Sequence, residues 1–171
     1  MKVLLYKDLK PINSGAFGEY LKIRGTKRGV KIMSNSHFKT IEAAKKSAAA
    51  RSVLKELNRL KKFRKKTNLI PKAYSLVLVK EEYMGEFIYF IGYSLEHIEG
   101  KVVDECNMLG KDWDELAKAR KALRKSGLMQ IDSHDGNVIR VKGYRSKRIK
   151  YIFIDGGSFK TLKSTRSDCG W

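Results

Sequence analysis

Two side chains in one short polar segment are suited to accepting a proton and to holding a metal ion. Asp132 and Asn137 lie five residues apart in a D-x-H-x-G-N run, with His134 between them. A carboxylate can accept the proton of an attacking hydroxyl, and an amide oxygen can ligate Mg²⁺ on a nucleotide. Asp155 ends an apolar run further along the chain, and Mg²⁺ usually takes one or two carboxylates together with phosphate oxygens. His134 could carry a proton, but we interpret it as a hydrogen-bonding scaffold residue.

The same residues also have a structural interpretation. Asp132 and Asn137 could cap turns, and Asp155-Gly-Gly is typical of a turn. The functional interpretation is favoured because the loop is polar and lies between apolar elements. A second aspartate, Asp155, also follows a predicted apolar strand. His37, His97 and His134 show no zinc-ligand spacing.

Lys31 and Glu56 form a second candidate group. Lys31 lies mid-strand between Val30 and Ile32, so its side chain points to the opposite face from theirs and could reach phosphates. Glu56 borders the apolar stripe of a long helical pattern, where an acid needs a partner, and Lys31 is the obvious one. The alternatives are a solvent-facing lysine and an exposed glutamate paired within its own helix.

A glycine-containing segment, Ser14-Gly-Ala-Phe-Gly18, lies between two predicted strands. Glycines let backbone amides approach phosphates because no Cβ is in the way. We therefore count Gly15, Ala16, Phe17 and Gly18 as candidate ligand-binding residues. A simple hairpin turn is the alternative, and the segment is not a Walker P-loop because no Gly-Lys-Ser/Thr follows it.

Hydrophobic periodicity predicts an α+β fold. Three strands come first, then one long helix over about 40–63, then a hairpin whose turn lies at 83–85. A second helix, a polar loop and another hairpin follow. This order predicts a five-stranded antiparallel lobe with one long helix over 1–98, and a smaller helical part over 99–171.

Composition indicates a folded, intracellular protein. Hydrophobic residues make up 42% of the 171-residue chain, and no apolar run approaches the roughly 20 residues that a membrane helix needs. The first residues do not have the pattern of a signal peptide. Cys106 and Cys169 stand alone without metal-type spacing, which favours a reducing, cytoplasmic setting.

The charge of the chain is strongly positive and uneven. The net charge is +19, and residues 1–66 carry 19 of the 37 basic residues but only 4 of the 18 acidic ones. Such a field favours acidic partners: nucleic acid, an acidic protein or a phosphate-rich ligand. The alternative for the densest run, 59–66, is a solvated helix end, where cations suit the helix dipole.

Taken in order, these segments resemble the motifs of the protein kinase superfamily over about residues 9–160. Ile12–Tyr20 resembles its glycine-rich loop, with Asn13 where the first glycine usually stands. Gly29-Val-Lys31 resembles the A-x-K of the third strand, and Glu56 lies where helix C carries its glutamate. Leu95–Gly100 resembles the hinge. Asp132 with Asn137 matches the catalytic loop, and Asp155-Gly-Gly stands in place of D-F-G.

This resemblance implies an ATP- and Mg²⁺-dependent phosphotransferase. Asp132 would be the catalytic base, Asn137 and Asp155 would hold Mg²⁺, and Lys31, fixed by Glu56, would hold the α- and β-phosphates. The loop from Gly15 to Gly18, with Ala16 and Phe17, would cover the phosphates. Backbone groups near Glu96 and Ile98 would meet adenine.

The departures from the family pattern point to a minimal member. Gln130-Ile131 replaces His-Arg, so control by a phosphorylated activation loop is not expected. Only 16 residues follow Asp155, which predicts a truncated second lobe like that of phage-encoded or compact bacterial effector kinases, acting in the cytoplasm of the cell or of a host.

Three functions remain open at this point. The first is a minimal Ser/Thr protein kinase, whose partners are a nucleotide, a protein substrate and an acidic partner protein. The D-x-H-x-G-N form also suggests a small-molecule phosphotransferase of the aminoglycoside type. The basic first third suggests a pseudokinase that binds nucleic acid or an acidic protein.

Overall fold

A computed structural model describes residues 1–15, 18–104, 108–131, 137–142, 149–154 and 159–162. The chain divides into two compact units, described separately below. Unit 1 comprises Met1–Lys62 and Pro71–His97, and unit 2 comprises Phe63–Ile70 and Ile98–Trp171. The functional labels that the sequence suggested for 1–98 and 99–171 remain predictions.

Unit 1 consists of strands followed by helices and a long hairpin. Its elements, in chain order, are β1 (Lys2–Leu5), a short 3-10 turn (Tyr6–Asp8), β2 (Leu9–Gly15), β3 (Gly18–Ile23), β4 (Arg28–Phe38), α1 (Ile41–Lys46), α2 (Ala48–Arg64, whose last two residues belong to unit 2), β5 (Ala73–Tyr83) and β6 (Glu86–Glu96).

The described strands of unit 1 form one six-stranded mixed sheet in the order β1-β5-β6-β4-β3-β2. The predicted α+β class is confirmed, but the prediction of five antiparallel strands is wrong because β1 adds a sixth. β1 runs parallel to β5, from Lys2 beside Val77 to Leu5 beside Lys80. It has no local signal, since it is four residues long, mostly exposed, and pairs with a strand some 75 residues away.

The predicted single helix is divided in two at Ser47. The ψ angle of Ser47 is 159°, an extended rather than a helical value, and α1 therefore ends there. The Ser47 hydroxyl oxygen then accepts the amide of Ala50 at 2.9 Å, so the same residue caps the start of α2. Thr40 caps α1 in the same way through the amide of Ala43.

The sheet of unit 1 buries apolar side chains on both faces, as strand alternation requires. One face packs against α1 and α2. The core on that side contains helix residues and strand residues: Ala44, Ala50, Val53, Leu57, Leu60, Ala73, Leu78, Ile91, Tyr93 and Leu95. The other face buries Leu9, Leu21, Val30, Ile32, Val77, Val79 and Phe90. Lys31 lies between Val30 and Ile32 in β4, so its side chain is on the helix-covered face.

In unit 2, the described residues contain more strands than the predicted helical part suggested. The elements are β7 (Lys101–Val102), α3 (Gly110–Lys125), β8 (Leu128–Gln130), β9 (Val138–Lys142), β10 (Ile149–Phe153) and β11 (Phe159–Thr161). They form a three-stranded sheet, β10-β9-β7, and a β8–β11 pair. Leu116 and Leu123 of α3 pack into a core with Tyr151, Phe153 and Phe159.

Among the described residues, no helix is both long enough and apolar enough to cross a membrane.

Candidate functional site

The predicted partners Lys31 and Glu56 are in contact within unit 1. Lys31 Nζ lies 3.2 Å from Glu56 Oε1, joining β4 to α2 across 25 residues of sequence. Glu56 is the single acidic residue of α2, and the amphipathic pattern of the helix turns it towards the sheet. The pair therefore ties the centre of the sheet to the helix that covers it.

Tyr93 is a third member of this cluster, and sequence reasoning did not identify it. Its hydroxyl donates to Glu56 Oε1 at 2.9 Å. In the sheet, Tyr93 of β6 pairs with Lys31, and Lys31 pairs with Tyr20 of β3, so the three side chains share one face. The period-two pattern of β6 places Tyr93 beside Leu95 and Ile91 on the helix-covered face, which is the signal that could have found it.

The environment of the Lys31–Glu56 pair distinguishes it from an ordinary surface ion pair. Its side chains are 25% and 23% exposed, whereas those of Lys39 and Glu86, also 3.2 Å apart, are 80% and 66% exposed. Water screens the exposed pair strongly, so it contributes little. The partly buried pair interacts more strongly and holds both side chains in a defined position, which suits a cation that must meet an anionic ligand.

Two glycines allow neighbouring strands to approach the backbone of β4 next to Lys31. A Cβ on Gly92 of β6 would collide with the Lys31 carbonyl oxygen, and a Cβ on Gly18 of β3 would collide with the Ile32 carbonyl oxygen. Gly18 also has a φ of +150°. Part of the glycine requirement here therefore comes from strand packing.

The glycine-containing segment forms the connection between β2 and β3, where Gly15 pairs with Gly18. Ala16 and Phe17, which the kinase resemblance places over the phosphates, lie outside the described residues. Their predicted role therefore stays a prediction, as do the roles of Gly15 and Gly18.

An aromatic pair lies where β6 ends. The Tyr20 hydroxyl and His97 Nδ1 share a hydrogen bond of 2.9 Å, and the two rings are stacked with centroids 5.8 Å apart. Burial raises the pKa of Tyr20 above its ordinary value of 10.0, so its hydroxyl keeps its proton. The hydroxyl end of Tyr20 lies against Gly29, where a Cβ would collide with it. With 77 residues between Tyr20 and His97, no local pattern could have predicted this pairing.

Some of the backbone groups near the residues predicted to meet adenine already make hydrogen bonds within the chain. The Glu96 amide donates to the Lys72 carbonyl at 2.7 Å, and the Glu96 carboxylate accepts the Lys72 amide. The His97 amide donates to the Lys27 carbonyl. Backbone recognition of adenine at this position would therefore depend on groups other than these two amides. Ile98 is half-buried and begins unit 2.

In unit 2, Asn137 is hydrogen-bonded to residues close to two other predicted site residues, Asp132 and Asp155, in the sequence. Its carbonyl oxygen accepts the amide of Ile154 at 2.8 Å and Gln130 Nε2 at 3.3 Å. Gln130 pairs in turn with Phe159 in the β8–β11 ladder. The described residues that flank 132–136 and 155–158 are thus bonded to one another.

Asp132, His134 and Asp155 themselves lie outside the described residues. In the described part of the chain, no three His, Cys, Asp or Glu side chains gather as a metal site would require. The oxygen chemistry around Asn137 nevertheless fits a hard cation. Within the described segments, Gln130 Oε1 is buried without a hydrogen-bond partner, and an amide oxygen is a donor that Mg²⁺ takes.

Comparison with known proteins assigns no family to the chain: neither the protein-family models nor the curated proteins give a match.

Proposed function

We propose that this protein is an ATP- and Mg²⁺-dependent phosphotransferase, and that it acts as a minimal Ser/Thr protein kinase. The observation that carries the proposal is the Lys31–Glu56 contact of 3.2 Å on the helix-covered face of the sheet. Kinase-like phosphotransfer needs a lysine held by a helix glutamate so that its ammonium group can meet the α- and β-phosphates.

Three features of unit 1 support this assignment of Lys31. The pair is mostly shielded from solvent, Tyr93 adds a hydrogen bond to the same carboxylate oxygen, and glycines on both sides set the position of the Lys31 strand. A lysine fixed in this way loses little conformational freedom when it binds an anion, and such positioning is the main source of catalysis in phosphoryl transfer.

Unit 2 supports the assignment of the remaining residues. The hydrogen bonds of the Asn137 carbonyl bring together the strand ends from which Asp132 and Asp155 follow in sequence. In the proposed reaction Asp132 accepts the proton of the acceptor hydroxyl, whose oxygen attacks the γ-phosphorus of ATP while ADP leaves. Asn137 and Asp155 would hold Mg²⁺, which neutralises phosphate charge when it is bound.

The proposal also includes the cellular compartment and the acceptor of the phosphoryl group. The two lone cysteines, Cys106 and Cys169, favour a reducing compartment such as the cytoplasm. The acceptor is proposed to be a protein hydroxyl. The positive charge of the chain suits a nucleotide and an acidic protein partner.

The test is phosphotransfer from γ-labelled ATP to a library of Ser- and Thr-containing peptides, with aminoglycosides as a second class of acceptor. We expect Lys31→Ala and Asp132→Ala to lower peptide phosphorylation by about 100-fold or more, the usual cost of removing a group that stabilises transferred charge. Transfer to aminoglycosides but not to peptides would replace the kinase with the small-molecule enzyme.

Lys39→Ala is the matched control. It removes a lysine whose distance to its glutamate is the same, 3.2 Å, but whose side chain is 80% exposed. Its activity should equal that of the unmodified protein. Equal activity of the Lys31→Ala and Lys39→Ala variants would refute the proposed role of Lys31.

A further inference from the structure

The solvent face of α2 carries a row of cations that the proposed phosphotransfer does not use. Arg51, Lys55, Arg59 and Lys62, called here the basic stripe, recur at intervals of three and four residues. At 3.6 residues per turn they fall within an arc of about 80°, and at a rise of about 1.5 Å per residue they span roughly 16 Å. All four belong to unit 1. Arg51, Lys55 and Lys62 are exposed, and Arg59 is half-buried.

No acidic side chain interrupts the basic stripe. Glu56, the acid of α2, is turned away from it and bonded to Lys31. The ion pairs found among the described residues involve other cations: Lys31, Lys39, Lys118 and Arg140. Arg51 makes one contact of its own, in which its guanidinium group donates to the Lys46 carbonyl, and this places its charge at the junction of α1 and α2.

The chemistry of the basic stripe favours phosphate over protein as its partner. Protein interfaces are built around apolar and aromatic side chains, and they are depleted in lysine although enriched in arginine. The basic stripe contains no apolar or aromatic side chain, and Leu54, the exposed large apolar residue of α2, lies outside the arc. It also lacks the aromatic side chains on which single-stranded bases stack. What remains is a straight row of cations, which suits a duplex backbone.

We propose that the basic stripe of α2 binds the phosphate backbone of double-stranded nucleic acid without sequence preference. Each strand of a B-form duplex presents a phosphate about every 3.4 Å along the axis. A row of roughly 16 Å can therefore meet several phosphates of one strand. This inference does not rest on the proposed phosphotransfer, since none of its residues belongs to the Lys31 cluster.

The test measures binding of two unrelated labelled DNA duplexes, each about two helical turns long, by fluorescence anisotropy across a salt series. The stripe variant is Lys55→Gln, Arg59→Gln and Lys62→Gln together. The control variant is Lys7→Gln, Lys10→Gln and Lys27→Gln together, which removes the same charge from exposed positions outside α2. Circular dichroism melting of both variants establishes that they fold. Poly-glutamate of matched charge stands in for an acidic protein.

We expect the unmodified protein to bind both duplexes with similar affinity and at least ten-fold more tightly than poly-glutamate. The stripe variant should lower the slope of log K against log salt by about 2 to 3, because each lost phosphate contact removes about 0.9. The control should change that slope by less than about 1.

Three results would overturn the inference. Equal losses in the two variants would mean that overall charge alone attracts the duplex. An unchanged slope in the stripe variant would place binding elsewhere. Poly-glutamate binding as tight as duplex binding, and lost with the stripe, would make an acidic protein the partner.

Discussion

A single carboxylate oxygen, Glu56 Oε1, accepts hydrogen bonds from both Lys31 and Tyr93. The ammonium and the phenol restrict its position from two strands, and Glu56 in turn holds the lysine. Lys31 and Glu56 could be paired from sequence because their order along the chain resembles a known arrangement. Strand alternation could have placed Tyr93 on the helix-covered face, but the direction of its hydroxyl group and its distance from Glu56 cannot be read from sequence.

Tyr93→Phe should test how much the second hydrogen bond contributes. Removing a bond to a charged acceptor in this partly shielded site should lower the free energy of unfolding by about 1–2 kcal/mol. Urea unfolding measures this change. Tyr83→Phe, at a position that is 58% exposed, is the control and should leave the midpoint where it was. A Tyr93→Phe midpoint equal to that of the control would mean that the hydroxyl does not support Glu56.

We expect the Tyr20 hydroxyl to make the stability of the fold sensitive to alkaline pH. Burial raises its pKa in the folded protein, while the unfolded chain titrates near its ordinary value of about 10. Above a pH of about 10 the unfolded chain therefore holds fewer protons than the folded protein, and stability falls as pH rises. Tyr6 adds to this effect, since burial and Glu19 raise its pKa to about 12.

Tyr20→Phe should flatten the loss of melting temperature between about pH 10 and 12, measured by circular dichroism. Stability near neutral pH need not be preserved, because the bond to His97 is lost as well. The slope on the alkaline side is the informative quantity. The same slope in Tyr20→Phe and in the unmodified protein would show that Tyr20 does not titrate as its burial requires.

At the scale of elements, sequence reasoning succeeded where the signal is local. The β5–β6 hairpin was predictable because two runs rich in apolar and aromatic residues flank a glycine-containing turn at 83–85. In the structure both Met84 and Gly85 adopt positive φ. The parallel pairing of β1 with β5 was not predictable, because its partner is far away in sequence. The division of the helix at Ser47 was also missed, since Ala and Lys on both sides favour helix and only the backbone angle of Ser47 reveals the break.

The candidate site was predictable to a similar degree. Lys31 and Glu56 were named and lie together, whereas the Tyr20–His97 pair depends on how β3 and the end of β6 meet in space. Gln130 was noted only as a substitution within a motif. Its hydrogen bond to the Asn137 carbonyl is a contact that the motif alone does not suggest.

Gly92→Ala tests whether strand packing sets the position of Lys31. The added methyl group would collide with the Lys31 carbonyl oxygen, and β4 or β6 must shift to accommodate it. We expect a loss of about 2 kcal/mol or more in unfolding free energy, typical of overpacking, and weaker ATP binding. Urea unfolding and calorimetric titration measure the two effects.

Gly110→Ala is the control for that experiment. Gly110 begins α3, and a methyl group added there would meet open space, so alanine should be neutral or slightly stabilising. If Gly92→Ala is as stable as Gly110→Ala and binds ATP normally, close packing beside Lys31 is not needed.

At the scale of the whole molecule, the two units carry different parts of the proposed chemistry. Unit 1 holds the lysine–glutamate pair, and unit 2 holds Asn137 with the strand ends that lead to Asp132 and Asp155. In the proposed reaction the phosphates of the nucleotide need the lysine, and the metal ion needs the oxygen ligands. The net charge of +19 favours capture of an anionic ligand but does not by itself make binding depend on a metal ion.

The most direct test of the central claim is the thermal stabilisation of the protein by ATP, with and without Mg²⁺. A ligand that binds only the folded state raises the melting temperature, and the rise grows with its affinity. The account predicts a rise that requires Mg²⁺, is lost in Asp155→Ala and Lys31→Ala, and persists in Lys39→Ala. A rise that is the same without Mg²⁺, or that survives in both Asp155→Ala and Lys31→Ala, would contradict it.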